Sequence, residues 1–188
     1  MKKKFNSNIK QEKNTIIFFG RIAGYKGVDV LIDAVKLASK KIKDIKCIIA
    51  GAGDFSKYAV MIDEEHKKNF EIHNRFIDDG EIGEFFQRAS VVVLPYKDAT
   101  QTGVVQIAYS FGRPVIVTNV GSLPEIVIDG KTGFVIPSDN SKALSERIVM
   151  LLTNKRESLI LGKNAIKFLK DELGWENISK KLIANLRI

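Results

Sequence analysis

Between residues 15 and 136 the chain repeats one pattern: a short apolar run, a turn rich in glycine or proline, then a longer stretch with apolar residues spaced three and four apart. The first run, Thr15-Ile16-Ile17-Phe18-Phe19, ends at Gly20. Residues 27–41 then carry Val28, Leu31, Ile32, Val35 and Ala38, which line one helical face. A second run over 45–50 stops at Gly51-Ala52-Gly53. The same reasoning predicts a helix over 55–68, a strand over 70–77, a helix over 79–89 with Asp78 or Asp79 as its cap, and a strand over 91–95. A helix follows to Phe111, with Gly112 closing it, and then a strand over 114–118 opened by Pro114. A short strand over 134–136 precedes helices over 141–153, 155–169 and 175–186, the first capped by Ser141.

Strands this uniformly apolar must be covered on both faces, and strands separated by helices join in parallel through right-handed crossovers. The expectation is an α/β fold: one Rossmann-like domain with a parallel sheet between helices. At 188 residues the chain is the right length for a single core. Residues 1–14 read as a basic linker or tail, and residues 15–188 as the domain, with C-terminal helices over 155–188.

The net charge of +8 is confined to the ends. Residues 1–14 carry five Lys and one Glu, residues 155–188 carry eight basic and four acidic residues, and the body between them is neutral. Nucleic-acid binding calls for a basic stripe with interleaved aromatics, and neither is visible, so no nucleic-acid partner is expected. The basic ends fit either peripheral contact with an anionic membrane or a solvated tail and helix face. A single cysteine, Cys47, lies inside an apolar run, which excludes a disulfide framework and reads as a buried strand residue in a reducing compartment. No signal peptide is legible and no apolar run approaches the ~20 residues of a membrane span, so a cytoplasmic location is expected, with the inner membrane face as the place of any contact. His66 and His73 have no metal-ligand spacing, no nucleophile constellation can be placed, and no metal is expected.

Ligands in such sheets bind at the carboxyl ends of the strands. After the first strand comes Gly20-Arg21-Ile22-Ala23-Gly24-Tyr25-Lys26-Gly27, a loop with two cations that opens a helix. Backbone N–H groups, a helix N-terminus and two positive side chains suit a phosphate, although ordinary turn chemistry fits the spacing equally. Neither a Walker loop nor the three-glycine dinucleotide fingerprint is present. After the fourth strand, Thr100, Gln101, Thr102, Gly103 and Val104 lead into a helix where Thr100 or Thr102 can act as cap, or the free N–H groups can take phosphate oxygens. After the fifth, Glu125 sits at the start of a short helix.

Taken in order, Gly20-Arg21, the Lys26 to Ala34 segment, Ala50-Gly51, Leu94-Pro95, Gly112-Arg113-Pro114-Val115-Ile116-Val117-Thr118, Val120-Gly121, Pro124-Glu125 and the Asp129 to Val135 segment resemble the C-terminal domain of group 1 (family 4) glycosyltransferases. Those enzymes pair two Rossmann-like domains across a cleft, the GT-B architecture. The resemblance implies that Arg21 and Lys26 bind the donor diphosphate and stabilise the departing nucleotide without a metal or other cofactor. It places Phe76 and Ile77, with Arg75, at the base, and Gln101, Thr102, Gly103 and Val104 at sugar and phosphate. Gly20 and Glu125 join the donor set, and Trp175 serves packing. The family's paired glutamates fall here at Ala99 and Ile107, with Asp98 and Gln106 as the nearest substitutes. The acceptor-holding N-terminal domain is missing, so this chain is expected to bind a nucleotide-sugar donor and to be inactive alone, its partner lobe belonging to the same or a separate chain. A non-catalytic partner subunit, or another GT-B enzyme such as a sugar-nucleotide epimerase, are the alternative readings.

Overall fold

Hydrophobic burial sets the layering. Ile16, Ile17, Phe18, Cys47, Ile48, Ile49, the Val91–Leu94 run and Val115, Ile116 and Val117 are wholly removed from solvent. Strands with no wet face must be covered on both sides. The computed structural model describes residues 9–99 and 102–172. Its strands are β1 (Thr15–Phe19), β2 (Lys46–Ala50), β3 (Phe70–His73), β4 (Val91–Leu94), β5 (Val115–Thr118) and β6 (Gly133–Ile136). They form one sheet in the order β3-β2-β1-β4-β5-β6, every pair parallel. The helices are α1 (Val28–Ser39), α2 (Ser56–Ala59), α3 (Asp79–Arg88), α4 (Val104–Ser110), α5 (Leu123–Ile126), α6 (Ser141–Thr153) and α7 (Lys155–Asp171).

The strand order reverses between β1 and β4. Right-handed crossovers on the two sides of that point cover opposite faces, and the strand ends open a crevice there. Helix α1 packs against α6, and α4 packs against α7. Arg113, just before β5, donates from its guanidinium to the carbonyls of Phe86 and Gln87 at the end of α3 and so ties the two halves together.

The amino ends of β1, β2 and β3 are held by charge. Arg88 pairs with Glu12 at 2.6 Å and with Glu71 at 2.7 Å, and Lys46 pairs with Glu71 at 2.9 Å. The stretch read as a linker is therefore bound to the domain over its last residues, where the Glu12 N–H also donates to the Arg88 carbonyl.

Several boundaries differ from the sequence reading. The helix expected over 55–68 shrinks to α2 and a 3-10 turn over Lys67–Asn69, because Asp63 accepts from the His66 N–H and imidazole and bends the chain there. The strand expected over 70–77 ends at His73, where the chain leaves the edge of the sheet. Asp78 caps α3 in a reciprocal capping box with Glu81. The cap of α6 is Asn140, whose side chain accepts from the Ala143 N–H at 2.9 Å, and not Ser141. The helix expected over 175–186, with Trp175, lies outside the described residues.

Candidate functional site

The loop after β1 delivers two cations to the switch point. Arg21 is exposed, and among the described residues no carboxylate lies within 4.0 Å of it or of Lys26. The Lys26 side chain turns inward, with its Nζ 3.6 Å from the centroid of the Tyr96 ring and 5.0 Å from that of Tyr25. Burial pushes the Lys26 pKa below its ordinary value. A cation without a counter-charge in a half-buried place is a costly arrangement unless an anion arrives to complete it.

Backbone contacts hold this loop against the end of β4. The N–H of Lys97 donates to the Tyr25 carbonyl at 2.8 Å. Gly27 has φ +66, and a Cβ there would lie 1.8 Å from the Pro95 carbonyl oxygen, so only glycine permits the approach. Gly27 is also the N-cap of α1, with no side chain capping it, which leaves first-turn N–H groups facing the crevice. Lys97 locks the arrangement from below through Asp29 on α1 at 2.7 Å and Asp139 beyond β6 at 2.8 Å.

Two hollows open at this end of the sheet. One, of about 540 Å³, opens over the ends of β1, β2 and β3, lined by Gly20, Arg21, Gly51, Gly53, Phe76 and Ile77 among others. Phe76 is 75% exposed at its rim and Ile77 is buried in its wall. Arg75 turns away and pairs with Glu81, so its charge is spent on the loop. The other hollow, of about 420 Å³, lies between the starts of α4 and α5 and is lined by Thr102, Gly103, Gln106, Ser122, Glu125 and Ile126. Thr102 Oγ accepts weakly from the Val104 N–H at 3.3 Å. Thr100 and Gln101 lie outside the described residues.

Ala99 and Ile107 do not offer a carboxylate and are packed instead. The Ala99 carbonyl abuts Gly121, where φ is +53 and a Cβ would lie 1.5 Å from that oxygen. Ile107 packs half-buried against the core. Asp98 and Gln106 are exposed. His66 pairs with Asp63 and His73 with Glu71.

Sequence reasoning missed Tyr96. The signal was available: an aromatic directly after a strand-ending proline, at a strand terminus where ligands bind. The Lys97 lock with Asp29 and Asp139 joins residues far apart in the chain and had no local signature.

A parallel sheet whose strand order reverses between β1 and β4, covered by helices on both faces, defines a Rossmann-like α/β domain. Residues 1–168 match the family model for glycosyl transferases group 1, and the chain belongs to that family. It is 31% identical over 160 residues to an uncharacterised glycosyltransferase of Methanocaldococcus jannaschii, covering 85% of this chain and 44% of that protein. It is 28% identical over 182 residues to a D-inositol 3-phosphate glycosyltransferase of Paenarthrobacter aurescens, covering 92% of this chain and 43% of that one. The chain thus spans less than half the length of these curated relatives. Its fold matches the C-terminal domain of a group 1 family glycosyl transferase from Francisella tularensis with a TM-score of 0.79 at 20% identity, covering 88% of this chain and 89% of that one. No helix among the described residues is long and apolar enough to cross a membrane.

Proposed function

We propose that this chain is the donor-binding half of a cytoplasmic glycosyltransferase and holds a nucleotide-diphospho-sugar by its diphosphate. The observation that carries the reading is the pair of cations, Arg21 and Lys26, without carboxylate partners among the described residues, at the strand-order reversal. Strand order then orients the donor. The base occupies the hollow over β1 to β3, beside Phe76 and Ile77, and the backbone at Gly20 lets it enter. The diphosphate lies between β1 and β4, on Arg21, Lys26 and the N-terminus of α1. The sugar faces Thr102, Gly103, Val104 and Glu125, and Gln101 belongs to the same set.

In transfer, the bond from the sugar's anomeric carbon to the diphosphate oxygen breaks, a bond to an acceptor oxygen forms, and the acceptor's proton goes to a base. Charge accumulates on the departing diphosphate, and two preplaced cations stabilise it most where water is least. In this scheme the cations do the work of a metal, and no cofactor is called for. The acceptor and the base come from a second lobe, in the same or a separate chain. The test is calorimetric titration with nucleoside diphosphates, which should bind the chain and lose affinity in Arg21→Ala and Lys26→Ala.

A second reading, a non-catalytic partner subunit, is favoured by one observation: Ala99 and Ile107 replace the two carboxylates that the family resemblance leads one to expect. Nucleotide binding without transfer, when an acceptor lobe is supplied, would select it.

A further inference from the structure

Helix α7 has one face buried by necessity. Leu161, Gly162 and Ala165 are enclosed, and Gly162 packs so closely on Gly112 that a Cβ would lie 2.2 Å from its carbonyl oxygen. That contact fixes which way the helix points its other side. Outward, within about 140° of arc at 100° per residue, stand Lys155, Arg156, Leu159, Ile160, Lys163, Lys167 and Lys170, with the half-buried Ile166 near one edge, turned toward Gly112. Leu159 is 64% exposed and Ile160 46%. Of the helix's own acids, Asp171 stands about 20° beyond the Ile160 edge of the arc and Glu157 about 60° beyond it. Lys155, Arg156, Lys163 and Lys167 have no described carboxylate within 4.0 Å.

We infer that this face docks on an anionic lipid bilayer. The chemistry asks for a surface that takes cations and aliphatic side chains together. Anionic headgroups attract the lysines, and the boundary between headgroups and acyl chains accepts Leu159 and Ile160. A nucleic acid would use the charge but leave the two aliphatics in water, and the arc carries no aromatic for a base to stack on. Position favours docking as well. The first turns of α7 line a hollow with Gln11, Asn14, Arg113 and Pro114 beneath the amino ends of the strands, at the end of the sheet opposite the donor cleft. A bilayer seated there leaves the cleft open.

The experiment is flotation of the chain with vesicles of phosphatidylcholine alone and of phosphatidylcholine mixed with phosphatidylglycerol. Binding is expected only to the mixed vesicles and should weaken as salt rises. Each basic residue near the surface is worth roughly a fivefold change in partition, so Lys163→Glu with Lys167→Glu should weaken binding by about 25-fold or more. Leu159→Ser with Ile160→Ser should weaken it several-fold while leaving retention on a DNA column unchanged. Both pairs are exposed, so unfolding temperature and nucleotide binding should stay as in the parent chain, which separates this inference from the donor-site reading. Equal binding to neutral vesicles, no binding to mixed ones, or indifference to the charge reversals would overturn it. Loss through the charge reversals with no effect of the serine pair would overturn it too, since Leu159 and Ile160 would then take no part in the contact.

Discussion

Lys26 Nζ stands 3.6 Å from the centroid of the Tyr96 ring, so the cation supplied by the loop after β1 is seated by an aromatic two residues past the end of β4. The pair spans the switch point and makes the two halves of the sheet contribute to one binding element. Tyr96→Phe keeps the ring face and should bind nucleoside diphosphate with nearly the parent affinity. Tyr96→Leu removes that face. A cation–π contact is worth about 0.5–2 kcal/mol, so affinity should fall by roughly 2- to 30-fold. Calorimetric titration of both variants, with circular dichroism to check the fold, decides the matter. Equal affinities in the two would remove Tyr96 from the site.

Gly27 supports the same juncture through its backbone. Gly27→Ala must place a methyl group 1.8 Å from the Pro95 oxygen at a φ of +66. Left-handed strain alone costs about 1–2 kcal/mol, and the clash adds to it. The urea midpoint should drop by at least that equivalent with the m value unchanged, and nucleotide affinity should fall as the loop moves.

Acid should weaken the fold through its paired carboxylates. The Arg88 guanidinium, with His73 and Lys46, holds the Glu71 carboxyl well below the usual carboxylate range despite partial burial. Glu81, bound by Arg75, is held down to about 2. A carboxylate whose folded pKa lies below its unfolded value of about 4.3 adds stability above that value and loses it as pH falls through the folded one. Urea midpoints should therefore be nearly flat from neutral pH to about 5 and decline steeply below about 4. Glu71→Gln should lower the neutral plateau and flatten the acid limb. An unchanged acid limb in Glu71→Gln would mean that other groups govern acid unfolding.

Phe76 presents an aromatic ring to solvent at the rim of the hollow proposed for the base. Its truncation costs no core packing. Phe76→Ala should leave the unfolding temperature alone and weaken nucleoside diphosphates by roughly 5- to 100-fold, the scale of base–aromatic stacking. Inorganic pyrophosphate, which has no base, should bind both forms equally. Equal loss for pyrophosphate would show that the substitution acts on the phosphate loop instead.

The strands were legible in the sequence because each central run is apolar throughout, and burial on both faces leaves no other solution. The 3.6-residue period of Val28, Leu31, Ile32, Val35 and Ala38 likewise marked α1. Where local polar chemistry intervened, pattern reading failed: Asp63 captured His66 and cut a helix short, and Asn140 took the cap that Ser141 suggested. The loop after β1 was legible as a glycine-rich turn carrying two cations, since loop composition is a local property. Tyr96 over Lys26, and Lys97 between Asp29 and Asp139, depend on which strands lie side by side, and strand order is set by packing of the whole chain.

The most direct test of the donor-site reading is thermal unfolding of the chain with UDP, GDP, ADP and CMP, repeated with Lys26→Ala. A ligand that binds only the folded state raises its stability by mass action. One nucleoside diphosphate should raise the unfolding temperature selectively, CMP, with one phosphate, should do less, and Lys26→Ala should lose about 1.5–3 kcal/mol of binding free energy, the worth of one charge-assisted contact. No shift with any diphosphate, or the same shift in parent and variant, would contradict the claim that Lys26 holds a nucleotide diphosphate at this site.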